Sequence, residues 1–419
     1  MIEALRNAFK VPDLRKRILF TLTVIIIYRF GSFVPVPGID VGVIKELFNE
    51  FAQKGNVLGF MDIFAGGALS NFAVFALGIM PYITASIIMQ LLTVAIPKLG
   101  EWAKEGETGQ RKITQWTRYM TLGLAMVQST ATTIFIERTL TLSFSLMDKI
   151  IIITTLVTGT VLIMWLGELV TQKGIGNGMS IIITINILSS LPEAVIQTFQ
   201  VVSPYLILML VFVVLFVVVA IVVMEEGQRR IPVQYAKRVV GRKMYGGQST
   251  YIPLKINQSG VIPIIFASSV LMVPTTVAQF FPSKIFQIIA NALGPTSPGY
   301  LVAYGFLIIF FAYFYTAVTF NPVDIADNIK KYGGFVPGVR PGKPTAVYLG
   351  NILNRITLPG SVFLALIAIF PTIIMATMNV PFFKHFGGIS LLIIVGVSLE
   401  TIKQLESQLL MRHYEGFLK

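Results

Sequence analysis

The chain has no cysteine, two histidines and few charged residues, and each scarcity removes a class of function. Without a thiol there is no disulfide, thiolate metal site or iron–sulfur cluster. Neither His385 nor His413 has the partners that a catalytic triad needs. Charged residues make up 13% of the 419 positions, whereas a soluble domain has about 25%. The composition therefore argues against a soluble enzyme.

What the chain has instead is long apolar runs, because 54% of its residues are hydrophobic and its mean hydropathy is +0.76. A helix needs about 20 apolar residues to cross a bilayer. Such runs recur, and they predict an all-α polytopic membrane protein with ten transmembrane helices. The spans are expected near residues 18–36, 72–96, 119–137, 150–170, 179–198, 204–224, 259–280, 300–320, 360–380 and 388–408.

The distribution of positive charge predicts the orientation. Most of the 33 Lys and Arg residues fall in segments that these spans place on one side of the membrane. The positive-inside rule makes that side the cytoplasm and places both termini there. Arg29 lies within the first span and is expected to reach towards the outer interface. Residues 1–17 are predicted to be a basic amphipathic leader, because no small-residue cleavage site follows the first apolar run.

Ten spans with both termini on one side divide as five plus five. An odd number of spans per half makes the two halves inverted relative to each other, and the working site then lies between them at the midplane. The predicted halves are residues 18–198 and 199–408, and a cytoplasmic tail follows at 409–419.

The stretch from Asn56 to Ile96 has the least ordinary pattern. An apolar segment too short to span precedes Gly66 and Gly67, and a long apolar run with Pro81 in its middle follows them. The pattern predicts either a re-entrant segment that lines a cavity or an amphipathic segment on the surface, and it does not decide between them. The apolar run is expected to be one helix.

Two long loops, 225–258 and 321–359, are both predicted to face the cytoplasm. In the first, the β-prone pieces Ile231–Val240 and Thr250–Ile256 flank a turn-rich stretch and predict a basic hairpin. The second is rich in glycine and proline and is expected to be a rigid irregular loop rather than a helix. Together they indicate a docking surface, although positive-inside topology alone explains part of their charge.

The predicted spans contain almost no ionisable residues away from their ends, which disfavours an ion-coupled carrier. No phosphate-binding loop and no cluster with metal-ligand spacing is present, so no cofactor or metal is predicted. A passive conduit fits better. Ile79 and Ile83 in the second span, and Ile183 and Ile187 in the fifth, share one helix face each and could form an aliphatic constriction. Taken singly, each is more simply an ordinary packing or lipid-facing isoleucine.

Several longer motifs resemble the SecY family, the central subunit of the bacterial protein-conducting channel. The resemblance runs along almost the whole chain. Its motifs, in chain order, are Phe33–Gly38, Ala76–Ile87, Gly174–Gly178, Arg229–Ala236 and Gly333–Gly342.

The resemblance implies two inverted five-helix halves around a central hourglass pore in the bacterial plasma membrane. The second, third, seventh and eighth spans would form a lateral gate to lipid, and a plug would lie near residues 57–69. The pore ring would be Ile79, Ile83, Ile183, Ile187, Ile265 and Ile393. The plug would include Val57, Leu58, Phe60, Met61, Ile63, Phe64 and Leu69.

The resemblance also implies partners and a non-enzymatic role. SecE and SecG subunits are expected beside the chain, and the SecA ATPase or the ribosome is expected on the cytoplasmic face. Signal sequences, unfolded preproteins and membrane lipid would be the other contacts. The docking residues would be Arg229, Arg230, Lys237, Arg238, Arg242, Lys243 and Arg340.

Two alternatives from other classes remain open on the sequence. A secondary transporter for a small solute would also use inverted repeats and a broken helix, although it predicts buried carboxylates. A membrane-embedded enzyme predicts paired polar residues at one depth. One feature departs from simple pore packing, because Asn186, Ser189 and Ser190 make the fifth span unexpectedly polar.

Overall fold

The computed structural model describes residues 9–39, 41–45, 62, 64–140, 144–235, 238–240, 243–245, 249–280, 288, 292–294, 297–378, 380, 382 and 387–417. Helices dominate this part of the chain. They are α1 (Pro12–Gly31), α2 (Met80–Ala95), α3 (Pro97–Lys104), α4 (Glu107–Thr139), α5 (Leu146–Lys173), α6 (Gly178–Ser189), α7 (Leu191–Val201), α8 (Pro204–Glu226), α9 (Ile262–Phe280), α10 (Pro298–Thr319), α11 (Pro322–Lys331), α12 (Lys343–Met378) and α13 (Gly388–Phe417).

The predicted class, a helical polytopic membrane protein, is confirmed. Within the described residues seven helices are long and apolar enough to span, or eight if α2 and α3, bent by 102°, count as one. The other two predicted spans coincide with α1, whose first turns are basic, and with α9, which is apolar from Ile262 to Leu271. The predicted number of ten is therefore consistent with the structure.

The predicted second span is wrong at its start. Residues 66–79 form successive turns, and the helix begins only at Met80. Pro81 therefore lies in the first turn of α2, where its missing N–H costs nothing, instead of in the middle of a helix. Gly66, Gly67 and Gly78 adopt positive φ, which interrupts any helix before Met80.

The helices pack in two groups. In the first, α1 packs on α5, α2 on α4, α4 on α5, and α5 on α6. In the second, α9 packs on α10, α10 on α12, α12 on α13, and α8 on α13. The groups meet where α9 contacts α2 and α4, where α13 contacts α6, and where α7 contacts α8. One continuous cluster of buried apolar side chains extends through both groups.

The loop at 225–258 contains the expected antiparallel hairpin. Strand β1 (Gln228–Tyr235) pairs with β4 (Ser249–Lys255), and the short strands β2 (Arg238–Val240) and β3 (Lys243–Tyr245) pair between them. A fifth strand, β5 (Gly334–Phe335), joins the free edge of β1. The sheet thus unites the two long loops, which the sequence did not predict.

The prediction that 321–359 is irregular is wrong over most of its length. Helix α11 begins after Asn321, whose side chain accepts a hydrogen bond from the backbone N of Val323 at 3.1 Å. Helix α12 begins at Lys343, well before the predicted span at 360–380. The irregular part is 332–342, where Gly333, Gly338 and Gly342 have positive φ.

Candidate functional site

The six predicted ring isoleucines come from both helix groups and meet in one apolar core. Ile79 immediately precedes α2, which holds Ile83; the other four lie in α6, α9 and α13. All are buried except Ile265, which is half-buried and packs against the same cluster. The cluster contains many other apolar residues, so the closed ring itself stays a prediction. The members of the buried set are Ile79, Ile83, Ile183, Ile187 and Ile393.

The predicted plug is described only at its C-terminal end. Phe64 and Leu69 are buried in the same core as the ring isoleucines. Five of the predicted plug residues lie outside the described part of the chain, namely Val57, Leu58, Phe60, Met61 and Ile63.

The turns at the C-terminal end of the plug and just after it are held by hydrogen bonds that their backbone N–H and carbonyl groups make. The Asp62 carboxylate accepts from the N–H groups of Leu69 and Ser70, both at 3.0 Å. The N–H of Val36 donates to the carbonyl of Phe72, and the N–H of Val74 donates to that of Val34, both at 2.9 Å. Because these turns are buried against the helices, the structure favours a re-entrant segment over a surface helix from Phe64 onwards.

Two polar side chains from different helices bind the backbone just before these turns. The Nδ2 group of Asn186 donates to the carbonyl of Phe64 at 2.7 Å, and the side chain of Asn186 is fully buried. The Nη1 group of Arg29 donates to the carbonyl of Gly66 at 2.9 Å, and its guanidinium lies 5.3 Å from the centre of the Phe33 ring. Arg29 is thus half-buried against protein, and its reach towards the outer interface stays a prediction.

These contacts explain much of the unexpected polarity of α6. Asn186 serves the Phe64 carbonyl, whereas the hydroxyls of Ser189 and Ser190 donate to carbonyls of their own helix at 2.7 and 2.8 Å. The sequence shows these polar residues but not their partners. A polar side chain within an apolar span indicates a contact inside the protein, since such groups face the protein interior.

The predicted lateral gate corresponds to a contact between the two helix groups. Helix α9 packs against α2 and α4. Both α9 and α4 contain small buried polar residues, including Ser268 and Ser269 on α9 and Thr121 and Ser129 on α4. Small residues allow the backbones of two membrane helices to approach each other closely. Opening along this contact stays a prediction.

The predicted docking residues are partly visible. Arg229 and Arg230 are exposed on β1, and the Arg230 guanidinium lies 4.8 Å from the centre of the Tyr251 ring. Arg340 is exposed in the loop after β5. Pairing of Gln234 with Phe335 connects the two regions through the sheet. Lys237 and Arg242 lie outside the described residues; Arg238 and Lys243 are described only as backbone, in β2 and β3.

In the described part of the chain no group of three or more His, Cys, Asp or Glu residues could hold a metal ion. The site consists of an apolar core shared by the two helix groups, a buried segment hydrogen-bonded to α1 and α6, and a basic sheet that follows α8.

Comparison with solved structures defines the class of protein first. The fold matches a structure described as "The structure of a protein conducting channel", with a TM-score of 0.64 over 96% of each chain at 18% identity. It also matches Sec61 in a canine ribosome-channel complex from the endoplasmic reticulum, with a TM-score of 0.59 and 16% identity over 96% of each chain. The chain therefore has the fold of a protein-conducting channel.

Sequence comparison then identifies the family. The SecY family model matches residues 73–402. The chain is 49% identical to the protein translocase subunit SecY of Streptomyces scabiei over 437 positions that cover all of both chains. The corresponding subunit of Corynebacterium glutamicum is 45% identical, again over the full length of both chains. This chain belongs to the SecY family, which favours the channel over the secondary transporter and the membrane enzyme.

Proposed function

We propose that this chain is the pore-forming subunit of the Sec protein translocation channel in a bacterial plasma membrane. It passes unfolded secretory polypeptides across the membrane and releases apolar segments sideways into lipid. The observation that carries the proposal is the convergence of buried isoleucines from both helix groups on one core, which the family match then places in a translocase subunit.

The aliphatic core suits a conduit for a chain of varied side chains. Branched apolar side chains offer no polar ligands to ions, so a narrow ring of them excludes water and ions at rest. The same side chains can pack around a passing polypeptide without binding any one residue strongly. The ring is assigned to Ile79, Ile83, Ile183, Ile187, Ile265 and Ile393.

The lateral gate is assigned to the contact of α9 with α2 and α4, together with α10. A signal sequence is an apolar helix and gains free energy by leaving the aqueous pore for lipid. If it binds the open gate better than the closed one, its binding shifts the population towards the open state. The plug near 57–69 then leaves the pore axis.

The basic sheet formed by β1, β4 and β5 is assigned as the docking face for SecA or the ribosome. It places Arg229, Arg230 and the Arg340 loop on one connected surface. Both termini then lie in the cytoplasm, and SecE and SecG are expected in the membrane beside the helices. The chain does no chemistry of its own in this proposal, since the cytoplasmic partner supplies the energy.

The proposal can be tested by cross-linking, because the chain has no native cysteine. We would introduce Ile83→Cys, stall a secretory precursor that carries one cysteine in mid-transport, and oxidise. We expect a mixed disulfide that requires both cysteines and a functional signal sequence. Leu215→Cys is the matched control, since Leu215 is 61% exposed on α8 and far less suited to line a pore.

A cross-link from Leu215→Cys equal to that from Ile83→Cys would show that the precursor does not pass through the core. Absence of any cross-link at Ile79, Ile83 or Ile187 in folded complexes would overturn the assignment of the conduit.

A further inference from the structure

We infer that Asn186 and Arg29 form a polar latch that holds Phe64–Gly66 against the core that contains the ring isoleucines and couples ring width to release of this segment. The latch is defined by two hydrogen bonds, from Asn186 Nδ2 to the Phe64 carbonyl at 2.7 Å and from Arg29 Nη1 to the Gly66 carbonyl at 2.9 Å. The inference rests on the proposed function, since it names a contact that regulates the same pore.

The latch joins three separate parts of the chain. Arg29 lies near the end of α1, Asn186 lies in α6, and the two carbonyls belong to the stretch just before the buried turns. Because Phe64 and Gly66 are buried, each carbonyl loses its hydrogen bond when its donor is removed and gains little solvent in exchange. The latch therefore favours the state in which Phe64–Gly66 stays in place.

Backbone geometry at Gly66 is adapted to this contact. Gly66 has φ +65°, and an added Cβ would lie 2.7 Å from Asn186 Oδ1 and 2.9 Å from Arg29 Nη1. Both side chains therefore approach the backbone more closely than any other residue at this position would permit. The close approach is a property of this site and not of general helix packing.

The amide of Asn186 has two polar neighbours. Its Nδ2 group donates to the Phe64 carbonyl at 2.7 Å, and the buried hydroxyl of Tyr28 lies beside the amide. Its Oδ1 atom accepts no hydrogen bond of normal geometry from the described residues, and an unpaired buried acceptor offsets part of the gain from the paired donor. The net contribution of the amide is therefore about that of one hydrogen bond, which a ligand that favours the other state can outweigh.

The position of Asn186 couples the latch to the ring. Asn186 follows Ile183 by three residues and directly precedes Ile187, and all three are buried in α6. A helix moves as a stiff unit over one turn. Outward movement of α6 that widens the ring therefore draws the amide away from the Phe64 carbonyl, and a hydrogen bond is lost beyond about 3.5 Å.

The experiment measures exposure of the latched segment in the full chain with its partner subunits in proteoliposomes. Ala65→Cys supplies the only thiol of this chain, between the two latched carbonyls, where the native side chain is 3% exposed, and the partner subunits are used in cysteine-free form. A membrane-impermeant maleimide, present on both sides, reports exposure through its rate of modification. Adding Asn186→Leu is expected to raise that rate about fivefold, the effect of one net hydrogen bond. Adding Arg29→Met, which has no donor, is expected to raise the rate in the same direction.

Ser189→Ala is the matched control. Ser189 lies on the same helix, but its hydroxyl donates to the Asn186 backbone carbonyl and contributes nothing to the latch. A functional signal peptide should raise the modification rate of the parent and add little to that of Asn186→Leu, because the latch is already broken. A merely structural role for Asn186 would leave the effect of the peptide unchanged.

Equal modification rates in folded Asn186→Leu and Ser189→Ala complexes would overturn the latch. If Asn186→Leu does not fold, Asn186→Ala replaces it, since the smaller apolar side chain removes the donor without crowding the core. The precursor cross-link at Ile83 reports the channel separately. A normal cross-link with unchanged thiol rates overturns the latch alone, whereas a parent complex that fails to cross-link overturns the proposed function.

Discussion

Helices α6 and α8 show how differently two apolar helices of one membrane protein are used. Helix α8 has a mean hydropathy of 3.7 in its most apolar window, yet only Val217 and Ile221 are buried. Helix α6 contains Thr184, Asn186 and two serines, yet most of its residues are buried, including Ile183 and Ile187. In a membrane the most apolar surface faces lipid, so the more polar of two spans is the one inside the protein.

The difference extends to backbone contact. At Gly178, the first residue of α6, an added Cβ would lie 2.0 Å from the carbonyl of Gly167 on α5. Helix α8 contains no glycine, and its large side chains, such as Phe212 and Phe216, are exposed. Helix α6 therefore packs closely on its neighbour, whereas the two buried residues of α8, Val217 and Ile221, both lie in its C-terminal half.

The largest expected effect is at this close contact. Gly178→Val should force α5 and α6 apart, and overpacking of this kind destabilises by about 3 kcal/mol. The measurement is the Tm of the purified complex in mild detergent. Val219→Ile on α8, where the native side chain is 53% exposed, is the control and should leave the Tm unchanged. Equal shifts for the two variants would contradict the distinction between the helices.

A smaller effect is expected from removing apolar volume. Ile187→Ala on α6 should lower stability by about 2 kcal/mol, because the fully buried side chain leaves a cavity that the core cannot refill. Leu215→Ala on α8 should leave the stability almost unchanged, because lipid or detergent fills the space. The Tm of each purified complex measures both effects. A cost at Leu215 as large as that at Ile187 would show that α8 is covered by protein.

The comparison also shows which features a sequence can reveal. The shared buried face of Ile183 and Ile187 was predictable, because four-residue spacing within α6 marks one helix face, whereas their place in a pore ring stays a prediction. The predicted start of α2 is wrong because it places Pro81 in the middle of the helix, although proline is tolerated best in the first turn. Hydropathy alone does not distinguish an apolar turn from an apolar helix.

Other features left no local signal. Strand β5 has two residues, and it forms by pairing with the free edge of β1, which is distant in the chain. The partner of Asn186 is a backbone carbonyl, and carbonyls look alike in any sequence. The sequence therefore revealed that α6 was anomalous, and only the fold could reveal what the anomaly contacts.

The smallest expected effect is at the end of α8, where polar contacts fasten the helix. Lys403 of α13 pairs with Glu226 at 2.8 Å, but the two side chains are 40% and 51% exposed. An exposed ion pair contributes less than about 1 kcal/mol, since water and salt compete with it. A double-mutant cycle of Lys403→Met and Glu226→Gln, followed by Tm, should show a coupling energy below that value, and the coupling should shrink as salt is added.

Asn257→Ala should lower the free energy of unfolding by more than this coupling. Buried Asn257 donates to Glu225 at 2.6 Å, and its loss leaves the carboxylate without that donor. A coupling between Lys403 and Glu226 larger than the cost at Asn257 would mean that charge, and not the buried hydrogen bond, holds the most lipid-exposed helix to the rest of the protein.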